Sequence, residues 1–310
     1  MPAFFAKVAV ETLIACSGDD AVSFLHAQLT SDVAALAVPG TQYSGYCSAK
    51  GRLLATLLVW RLENEILLQV PAVLGDAIRQ RLAKYVLRSR VTIADAAPRY
   101  ALFAVWGTDA GTALEGASLA PRGADHEVTC SGDVCVTRLD SGRYLVLVVR
   151  ASEHDVRERL MQRALEGTEV EWARAEIRAG VPAILPETQE AYVPQMVNLD
   201  LVGGVSYTKG CYPGQEIVAR THYLGRIKQR AYPVRIESAE AISAGDPLYS
   251  PEFGADQACG SILRIAPGSG HEYDALAVIQ TVSARSGSVH WGSLTGPEVR
   301  VGCPPYALPD

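Results

Sequence analysis

The sequence predicts an α+β protein with two modules of ferredoxin-like type followed by a small C-terminal β-barrel. Two observations predict the modules: the order strand–turn–strand–helix–strand occurs twice, and apolar residues recur at helical spacing in each helix. The barrel is predicted because, from residue 232 onward, short apolar runs alternate with glycine, proline and serine turns. We expect domains at residues 1–97, 98–224 and 225–310, a division that also allows the chain to return to the first module after about residue 172.

The first module is predicted to begin with a helix capped near Asp19. An apolar strand at residues 53–60 turns near residue 64 and continues as a second strand at 66–70. A strand at residues 90–93 closes the module. The helix before this last strand has an apolar stripe made of Leu74, Ile78, Leu82 and Tyr85.

The second module repeats this order. A strand at residues 100–106 opens it, and strands at 133–137 and 144–149 follow on either side of a turn. Ser152 is predicted to cap the next helix, and residues 168–172 are predicted to form the closing strand. The inward stripe of that helix consists of Val156, Leu160 and Ala164. Barrel strands are expected at residues 232–236, 261–265 and 275–282.

Composition limits the possible functions. A hydrophobic fraction of 48% with 20% charged residues is typical of a globular protein. The formal net charge of −6 argues against tight, unassisted binding to a polyanion, because such affinity comes from basic surface. A local basic patch is still compatible with the cluster Arg220, Arg226, Lys228 and Arg230. The first residues lack a signal-peptide layout and no apolar stretch reaches membrane-spanning length, so we expect a cytoplasmic protein.

The seven cysteines are an odd number spread over a long chain, which suits a reducing compartment. Cys130 and Cys135 flank Ser131-Gly132-Asp133, a spacing that favours a hairpin over a zinc site. No stable metal site is expected. Core or edge positions are expected for Cys16, Cys47, Cys259 and Cys303.

The most informative stretch of the chain is residues 207–216, which read YTKGCYPGQE. Its glycines let the backbone turn sharply or approach a ligand closely, and Pro213 stiffens the segment. Free cysteine is often a small buried hydrophobe. In an extended segment, however, Lys209 would lie on the same side as Cys211 and favour its thiolate. The stretch therefore predicts a loop that presents a reactive thiol. We interpret His222 as a surface or turn histidine, since only its nearness to Cys211 suggests a base.

Residues 209–212 (KGCY) and 214–216 (GQE) closely resemble the signature of the YgfZ family. These are folate-binding proteins related to the aminomethyltransferase, or T-protein, of the glycine cleavage system. Residues 87–91, 177–182 and 193–199 resemble other segments of the family. The resemblance covers nearly the whole chain, although only the KGCY stretch is highly specific. It implies an aminomethyltransferase-like arrangement of three domains with folate in a central channel.

The chain departs from the transferase pattern at two places. The aminomethyltransferases carry paired aspartates after an early glycine turn, and one of these does the chemistry. Ala55 and Thr56 stand there in this chain. Because an alanine methyl can neither accept a proton nor hold a pterin amine, aminomethyl transfer is not expected. Related enzymes also carry a folate-contacting glutamate where this chain has Arg178, which weakens a residue-by-residue transfer of the folate contacts but not of the pocket as a whole. The folate-binding residues are therefore unknown from the sequence, with Arg178 as the one candidate.

The resemblance implies an accessory protein, not a self-sufficient enzyme, that supports assembly or repair of iron–sulfur clusters in target enzymes. The implied cofactor is tetrahydrofolate or a derivative. The implied partners are folate and cluster-containing enzymes, some of which modify tRNA, without strong direct binding to nucleic acid or a membrane. Cys211 would act as a thiolate that Lys209 favours, and any metal contact there would be transient, because clusters usually take about four thiolates. The supporting residues would be Gly210, Tyr212, Gly214, Gln215, Glu216 and Arg220.

Two alternatives remain open from the sequence. In the first, the protein is a folate-dependent one-carbon transferase of aminomethyl type, and Cys211 replaces the missing aspartate. In the second, it is a folate carrier without chemistry, and Cys211 only packs. Turnover of a methylamine-type substrate with tetrahydrofolate would favour the first, and full function of Cys211→Ala would favour the second.

Overall fold

The computed structural model describes residues 2–121, 123–225 and 227–309 of the chain. The fold is mixed α+β, as predicted, and it divides into two compact units that are each discontinuous in sequence. The first unit comprises Met1–Ala27, Asp32–Tyr43 and Leu57–Trp172. The second unit comprises Gln28–Ser31, Ser44–Thr56 and Ala173–Asp310. The predicted three-domain division stays a prediction beside this two-unit division.

The helices vary from six to twelve residues in length. They are α1 Ala21–His26, α2 Ala72–Ala83, α3 Ala110–Gly116, α4 Glu153–Met161, α5 Glu169–Arg178, α6 Gln215–Tyr223 and α7 Thr281–Ser286. The strands are β1 Phe4–Lys7, β2 Glu11–Ser17, β3 Gly40–Cys47, β4 Leu53–Arg61, β5 Ile66–Pro71, β6 Thr92–Asp95, β7 Tyr100–Trp106, β8 Val128–Ser131, β9 Val134–Asp140, β10 Arg143–Val149, β11 Leu165–Glu166, β12 Gln229–Glu237, β13 Pro247–Tyr249, β14 Gly260–Pro267, β15 Glu272–Gln280, β16 His290–Trp291 and β17 Val299–Val301.

The first sheet has the strand order β11-β1-β7-β10-β9-β8 and lies in the first unit. Strands β7 and β10 are almost continuous apolar runs because both of their faces are buried. Phe5, Phe103 and Val146 belong to its core, together with Leu114 of α3 and Leu160 of α4. Burial of these aromatic and aliphatic side chains is the main term that holds the sheet and the two helices together.

The second sheet has the order β3-β4-β5-β2-β6, and α2 packs on β2, β5 and β6. The predicted stripe of α2 is confirmed for its first three members, since Leu74, Ile78 and Leu82 are buried. The fourth, Tyr85, lies beyond the helix end and is 47% exposed. Its place in the stripe was wrong because α2 stops at Ala83, before the next helical turn.

The C-terminal sheet has the order β16-β13-β14-β15-β12-β17 and is nearly closed, like a barrel. An isolated bridge between His290 and Glu298 lies where the two ends of the sheet come together. Its core includes Tyr232, Val234 and Ile279. The predicted barrel strands are confirmed, but the run at residues 275–282 ends as the helix α7.

The predicted strand at residues 168–172 was wrong, because this stretch begins α5. Thr168 and Glu171 form a reciprocal cap. The Thr168 backbone amide donates to the Glu171 carboxylate at 2.8 Å, and the Glu171 amide donates to the Thr168 hydroxyl at 3.2 Å. This T-x-x-E pattern is a helix-start signature that was legible in the sequence. The two-residue strand β11 ends just before it.

The predicted cap of α4 was also wrong. The Ser152 hydroxyl does not cap the helix but donates to the Asp133 carboxylate at 2.7 Å. The hairpin predicted between Cys130 and Cys135 is confirmed, since these two residues are directly opposite in β8 and β9. They are joined by a disulfide, which the sequence reasoning missed. Within the described ranges, no helix is long and apolar enough to cross a bilayer.

Candidate functional site in the signature loop

The signature residues 207–214 form an irregular loop of the second unit that leads directly into α6. Gly214 occupies the position before the helix with φ of 78°, a left-handed backbone conformation that residues other than glycine rarely adopt. An added Cβ at Gly214 would lie 2.4 Å from the amide nitrogen of Gly51. Gly51 is also left-handed, with φ of 69°. The motif glycine is therefore required for two reasons: its conformation and the close approach of the turn at residues 48–51.

Gln215 holds the loop to the start of α6. Its side-chain oxygen accepts a hydrogen bond from the Tyr212 backbone amide at 3.3 Å, and the Gln215 backbone amide donates to the Tyr212 carbonyl at 3.2 Å. The Tyr212 side chain is buried. Burial raises the pKa of the Tyr212 hydroxyl, with a smaller contribution from the nearby Cys47 thiol. Tyr212 therefore serves as the anchor of the loop, and Gln215 is hydrogen-bonded to it, while the site role predicted for Gln215 stays a prediction.

Lys209 is fixed on the loop by a hydrogen bond and a contact with an aromatic ring, among its interactions. Its ammonium donates to the Leu29 carbonyl at 2.6 Å and lies 4.9 Å from the centroid of the Tyr212 ring. The segment is a bend, not the extended strand that the sequence reasoning assumed. The lysine thus helps to set the shape of the loop, and its predicted effect on Cys211 stays a prediction.

Cys211 is a free cysteine whose side chain is exposed. Three other free cysteines, Cys16, Cys47 and Cys259, are buried, as predicted. Burial raises the pKa of the Cys16 and Cys47 thiols to about 12, which keeps them protonated near neutral pH. Cys303 is exposed and lies just after β17. Exposure separates Cys211 from the buried thiols, and its position in a motif separates it from Cys303.

An aromatic stack lies beside this loop. The Tyr207 ring stacks on His222 with centroids 3.7 Å apart and planes inclined by 15°. The buried Gln195 donates from its amide to the Tyr207 hydroxyl at 3.1 Å and to the Val218 carbonyl at 2.8 Å. Gln195 therefore ties the start of the loop to α6. Sequence reasoning assigned no role to Gln195, because its partners are 12 and 23 residues away along the chain.

The predicted basic patch after the loop is only partly confirmed. Arg220 and Lys228 are exposed, and Arg226 lies outside the described residues. Arg230 is not part of a surface patch: its side chain is 5% exposed and pairs at 2.7 Å with Asp200, whose side chain is 9% exposed. A buried guanidinium needs such a partner to offset the loss of hydration. Glu216 is exposed in the first turn of α6, where the helix dipole stabilises a negative charge. The hydrogen bond predicted between Glu216 and the loop stays a prediction.

Arg178, the candidate folate contact, lies at the end of α5, and its guanidinium donates to Asp274 at 2.9 Å. Its side chain is half exposed, so it keeps donors that face solvent. Residues 55 and 56, where the resemblance implies aspartates in the transferases, lie on β4. Ala55 is fully buried, and the Thr56 hydroxyl accepts a hydrogen bond from the Ile184 amide at 3.0 Å. The hydroxyl of Thr56 is thus used in the structure of the second unit.

Comparisons with known proteins agree with this arrangement. The GCVT N-terminal domain family model matches residues 6–122. The chain is 32% identical over 239 residues to the tRNA-modifying protein YgfZ of Yersinia enterocolitica, covering 76% of this chain and 72% of that protein. It is 31% identical to the protein of the same name from Yersinia pseudotuberculosis, with the same coverage. The fold resembles the glycine cleavage aminomethyltransferase T of Bartonella henselae, with a TM-score of 0.78, 18% identity, and coverage of 97% of this chain and 85% of that one.

The fold and the site together define a protein with the aminomethyltransferase fold in which alanine and threonine occupy the carboxylate positions and a glycine-bounded loop presents a cysteine. Identity above 30% over more than two thirds of a relative is sufficient to assign the family. The chain belongs to the YgfZ family of tRNA-modifying proteins, and the resemblance read from the KGCY motif is confirmed.

Proposed function

We propose that this protein is an accessory factor for iron–sulfur enzymes, including enzymes that modify tRNA. It binds a reduced folate and uses the Cys211 thiolate at the iron or sulfur of a target's cluster. The observation that carries the proposal is the exposed Cys211 on a loop that is anchored by buried Tyr212 and by bonds to Lys209 and Gln215. A fixed, exposed thiol can reach a macromolecular target, whereas a packed one cannot.

The transferase alternative is disfavoured by β4. A transfer of an aminomethyl group needs a carboxylate near the reacting amine, and no such group is supplied by Ala55 or Thr56. The Thr56 hydroxyl already accepts the Ile184 amide, so recruiting it would leave a buried donor unpaired. The fold is therefore proposed to keep folate binding while the chemistry moves to the loop.

Tetrahydrofolate or a derivative is the proposed cofactor, on the strength of the family and of the fold it shares with T-protein. Within this chain, Arg178 has the chemistry to hold the glutamate end of a folate. A guanidinium has five N–H donors, and the half-exposed side chain of Arg178 uses one of them on Asp274. When bound, the folate would supply a one-carbon carrier or a reduced pterin, and Arg178 would fix one end of it.

A single thiolate, that of Cys211, cannot hold an iron–sulfur cluster by itself, so its contact with a cluster would be shared with another protein. Iron–sulfur clusters are usually held by about four cysteine thiolates. Cys47, the free thiol near Tyr212, is buried with its pKa raised to about 12, so it is not available as a second ligand. Cys211 would therefore contact the cluster of a target protein that provides the other ligands. We propose that this meeting takes place in the cytoplasm, where the five free cysteines would stay reduced, whereas the Cys130–Cys135 disulfide does not support this location.

The test is complementation of a bacterial strain that lacks its own YgfZ-family protein. Wild type is expected to restore the activity of cluster-dependent tRNA-thiolating enzymes, and Cys211→Ser is expected to fail while it keeps folate binding by calorimetry. Serine preserves the shape of the side chain but is a poor ligand for soft metals. Cys303→Ser, which removes the other exposed free thiol, is the matched control and should complement fully.

Each result of this test has a clear meaning. Full rescue by Cys211→Ser would remove the thiolate role and favour a folate carrier. No heat and no thermal stabilisation with tetrahydrofolate would remove the folate role, because a specific ligand in excess must raise apparent stability. Turnover of a methylamine-type substrate with tetrahydrofolate would favour the transferase.

A further inference from the structure

A cluster of arginines on the second unit includes Arg178, the proposed folate contact, and extends beyond it to arginines that the proposed function does not use. The carboxylate of Asp274 accepts Arg174 Nε at 2.8 Å and Arg178 Nη2 at 2.9 Å, both on the same oxygen. Arg235 Nε lies 3.2 Å from the other oxygen. Three guanidiniums therefore share one carboxylate, and the cluster keeps an excess of two positive charges.

The cluster has a buried base and an open top. The Asp274 side chain is 7% exposed, whereas the side chains of Arg178 and Arg235 are 51% and 63% exposed. Burial alone would raise the pKa of Asp274, but the hydrogen bond from Arg174 and the charge of Arg178 outweigh it and lower the pKa. The carboxylate is thus ionised at neutral pH and holds the arginines in place, while their remaining N–H donors face solvent.

The positive charge continues across the sheet. Arg235 of β12 is directly opposite Asp274 of β15 on one side and opposite Arg300 of β17 on the other. Neighbouring strands are about 4.8 Å apart, so Arg300 and Arg235 lie side by side on one face of the sheet. Arg300 is exposed. We name Arg300 and Arg235 the arginine row, which leaves Arg178 to the proposed folate contact.

An acidic border lies next to the row. Two residues further along the strands, Glu237 is opposite Glu272. These two and Glu298 are exposed, and with Arg235 and Arg300 they line a cavity of about 380 Å³. The carboxylates repel an anion on that side of the row. An extended anion would therefore lie along the arginines and would not cross onto the glutamates.

We propose that the arginine row binds the phosphodiester backbone of single-stranded nucleic acid. The planar guanidinium matches a phosphate with two parallel hydrogen bonds, a geometry that lysine does not offer, and the row consists of arginines. An open row of charge fits a polymer better than one free phosphate. Contacts to phosphate fix position without reading sequence, so binding is sequence-independent and strongly weakened by salt. The site is independent of Cys211 and goes beyond the proposed function.

The overall charge of −6 keeps the affinity for nucleic acid modest, which agrees with the expectation from composition that strong nucleic-acid binding is absent.

The experiment measures fluorescence anisotropy of a short labelled RNA at about 50 mM salt and upward. Arg235→Gln combined with Arg300→Gln is expected to weaken binding at least tenfold at the low-salt end. The salt slope should fall by about 1.4, since each single-strand phosphate contact contributes about 0.7. A DNA of the same sequence should bind equally well, because phosphate contacts do not distinguish the two.

The Arg235→Gln and Arg300→Gln variant is expected to fold, because Asp274 keeps Arg174 and Arg178 as partners. Its melting temperature and its folate binding are measured alongside. As an opposite change, the pair Glu237→Gln and Glu272→Gln should tighten RNA binding. The matched control is Arg90→Gln combined with Arg157→Gln, which changes the net charge equally at exposed ion pairs of the first unit and should leave binding unchanged.

Four outcomes would overturn the proposal. In the first, the wild-type protein does not bind RNA at low salt. In the second, the control pair of substitutions weakens binding as much as the arginine-row pair, which would indicate that only the overall charge matters. Inorganic tripolyphosphate competes as well as the RNA does at equal phosphate concentration, which would indicate a site for a small anion. A poly-glutamate peptide binds as tightly as RNA, which would indicate an acidic protein partner. A failed complementation test of Cys211 affects none of these measurements, so the two proposals fail separately.

Discussion

Two free thiols near Tyr212 have opposite environments. Cys211, its neighbour in sequence, is exposed on the loop, whereas Cys47, near it in space at the end of β3, is 1% exposed. Tyr212 lies close to both thiols, since it follows Cys211 in the loop and Cys47 is near enough to contribute to the raised pKa of its hydroxyl. The comparison teaches that residue type alone does not mark a reactive cysteine. A reactive cysteine is recognised by the protonation state of its thiol, by its exposure to solvent and by the motif that contains it.

The largest expected difference between the two thiols is in alkylation. At pH 8 only about one in ten thousand of the Cys47 thiols is ionised, given a pKa of about 12, and the side chain is buried as well. In the Cys303→Ser variant, iodoacetamide should label Cys211 at least about a hundredfold faster than Cys47. Peptide mass spectrometry over time gives both rates. Equal rates in the folded protein would contradict the difference in environment, and both sites should label in denaturant.

The loop that exposes Cys211 depends on Gly214, and the next largest effect is on stability. Gly214→Ala should destabilise the protein by about 3 kcal/mol, from the left-handed φ together with a clash against Gly51. Gly203 is the matched control: it has the same φ of 78° and nothing within 4 Å of an added Cβ. Gly203→Ala should cost about 1 kcal/mol, from backbone conformation alone. Urea unfolding measures both, and equal losses would show that the approach to Gly51 is not tight.

Much of the fold was legible in the sequence because its signals are local. Strand β4 reads as one apolar run, and α2 has apolar residues at helical spacing, so both were predicted within a few residues. Failure came where two local signals competed. From Thr168 onward, apolar residues alternate with polar ones over a short stretch, a pattern that favours a strand. The structure has a helix there, because Thr168 and Glu171 form a capping pair. Capping hydrogen bonds satisfy amides that a helix start would leave unpaired, and this outweighed the apparent alternation.

The candidate site was predictable in part for the same reason. The motif gave Cys211 and Gly214, since a left-handed position next to a close contact favours glycine over every other residue. The partners of the loop could not be predicted, because Leu29 lies 180 residues from Lys209 along the chain. Arg230 misled the sequence reasoning, since a cluster of basic residues is usually a solvated face. Only the structure shows that the buried Arg230 is paired with Asp200.

A smaller expected effect separates structure from function at the two thiols. Cys47→Ser places a hydroxyl in a buried position and should destabilise the protein by about 1–2 kcal/mol while complementation is retained. Cys211→Ser changes an exposed side chain, so its stability should stay within about 0.5 kcal/mol of wild type while complementation is lost. Melting curves and complementation on both variants test the comparison. The reverse pattern, with activity lost in Cys47→Ser and kept in Cys211→Ser, would assign the working thiol to the buried position.

The smallest expected effect concerns the bond that holds the loop to α6. Gln215→Ala removes the acceptor of the Tyr212 amide, which is 3.3 Å from the Gln215 oxygen, and should cost about 1 kcal/mol. Gln215→Glu is the control. It keeps an acceptor at the same place, and its charge is favourable in the first turn of a helix, so stability should be close to that of wild type. Hydrogen exchange provides the local measurement: the Tyr212 amide should exchange faster in Gln215→Ala and not in Gln215→Glu. If that amide is equally protected in all three proteins, Gln215 does not hold the loop, and the exposure of Cys211 then depends on the buried Tyr212 ring and on Lys209.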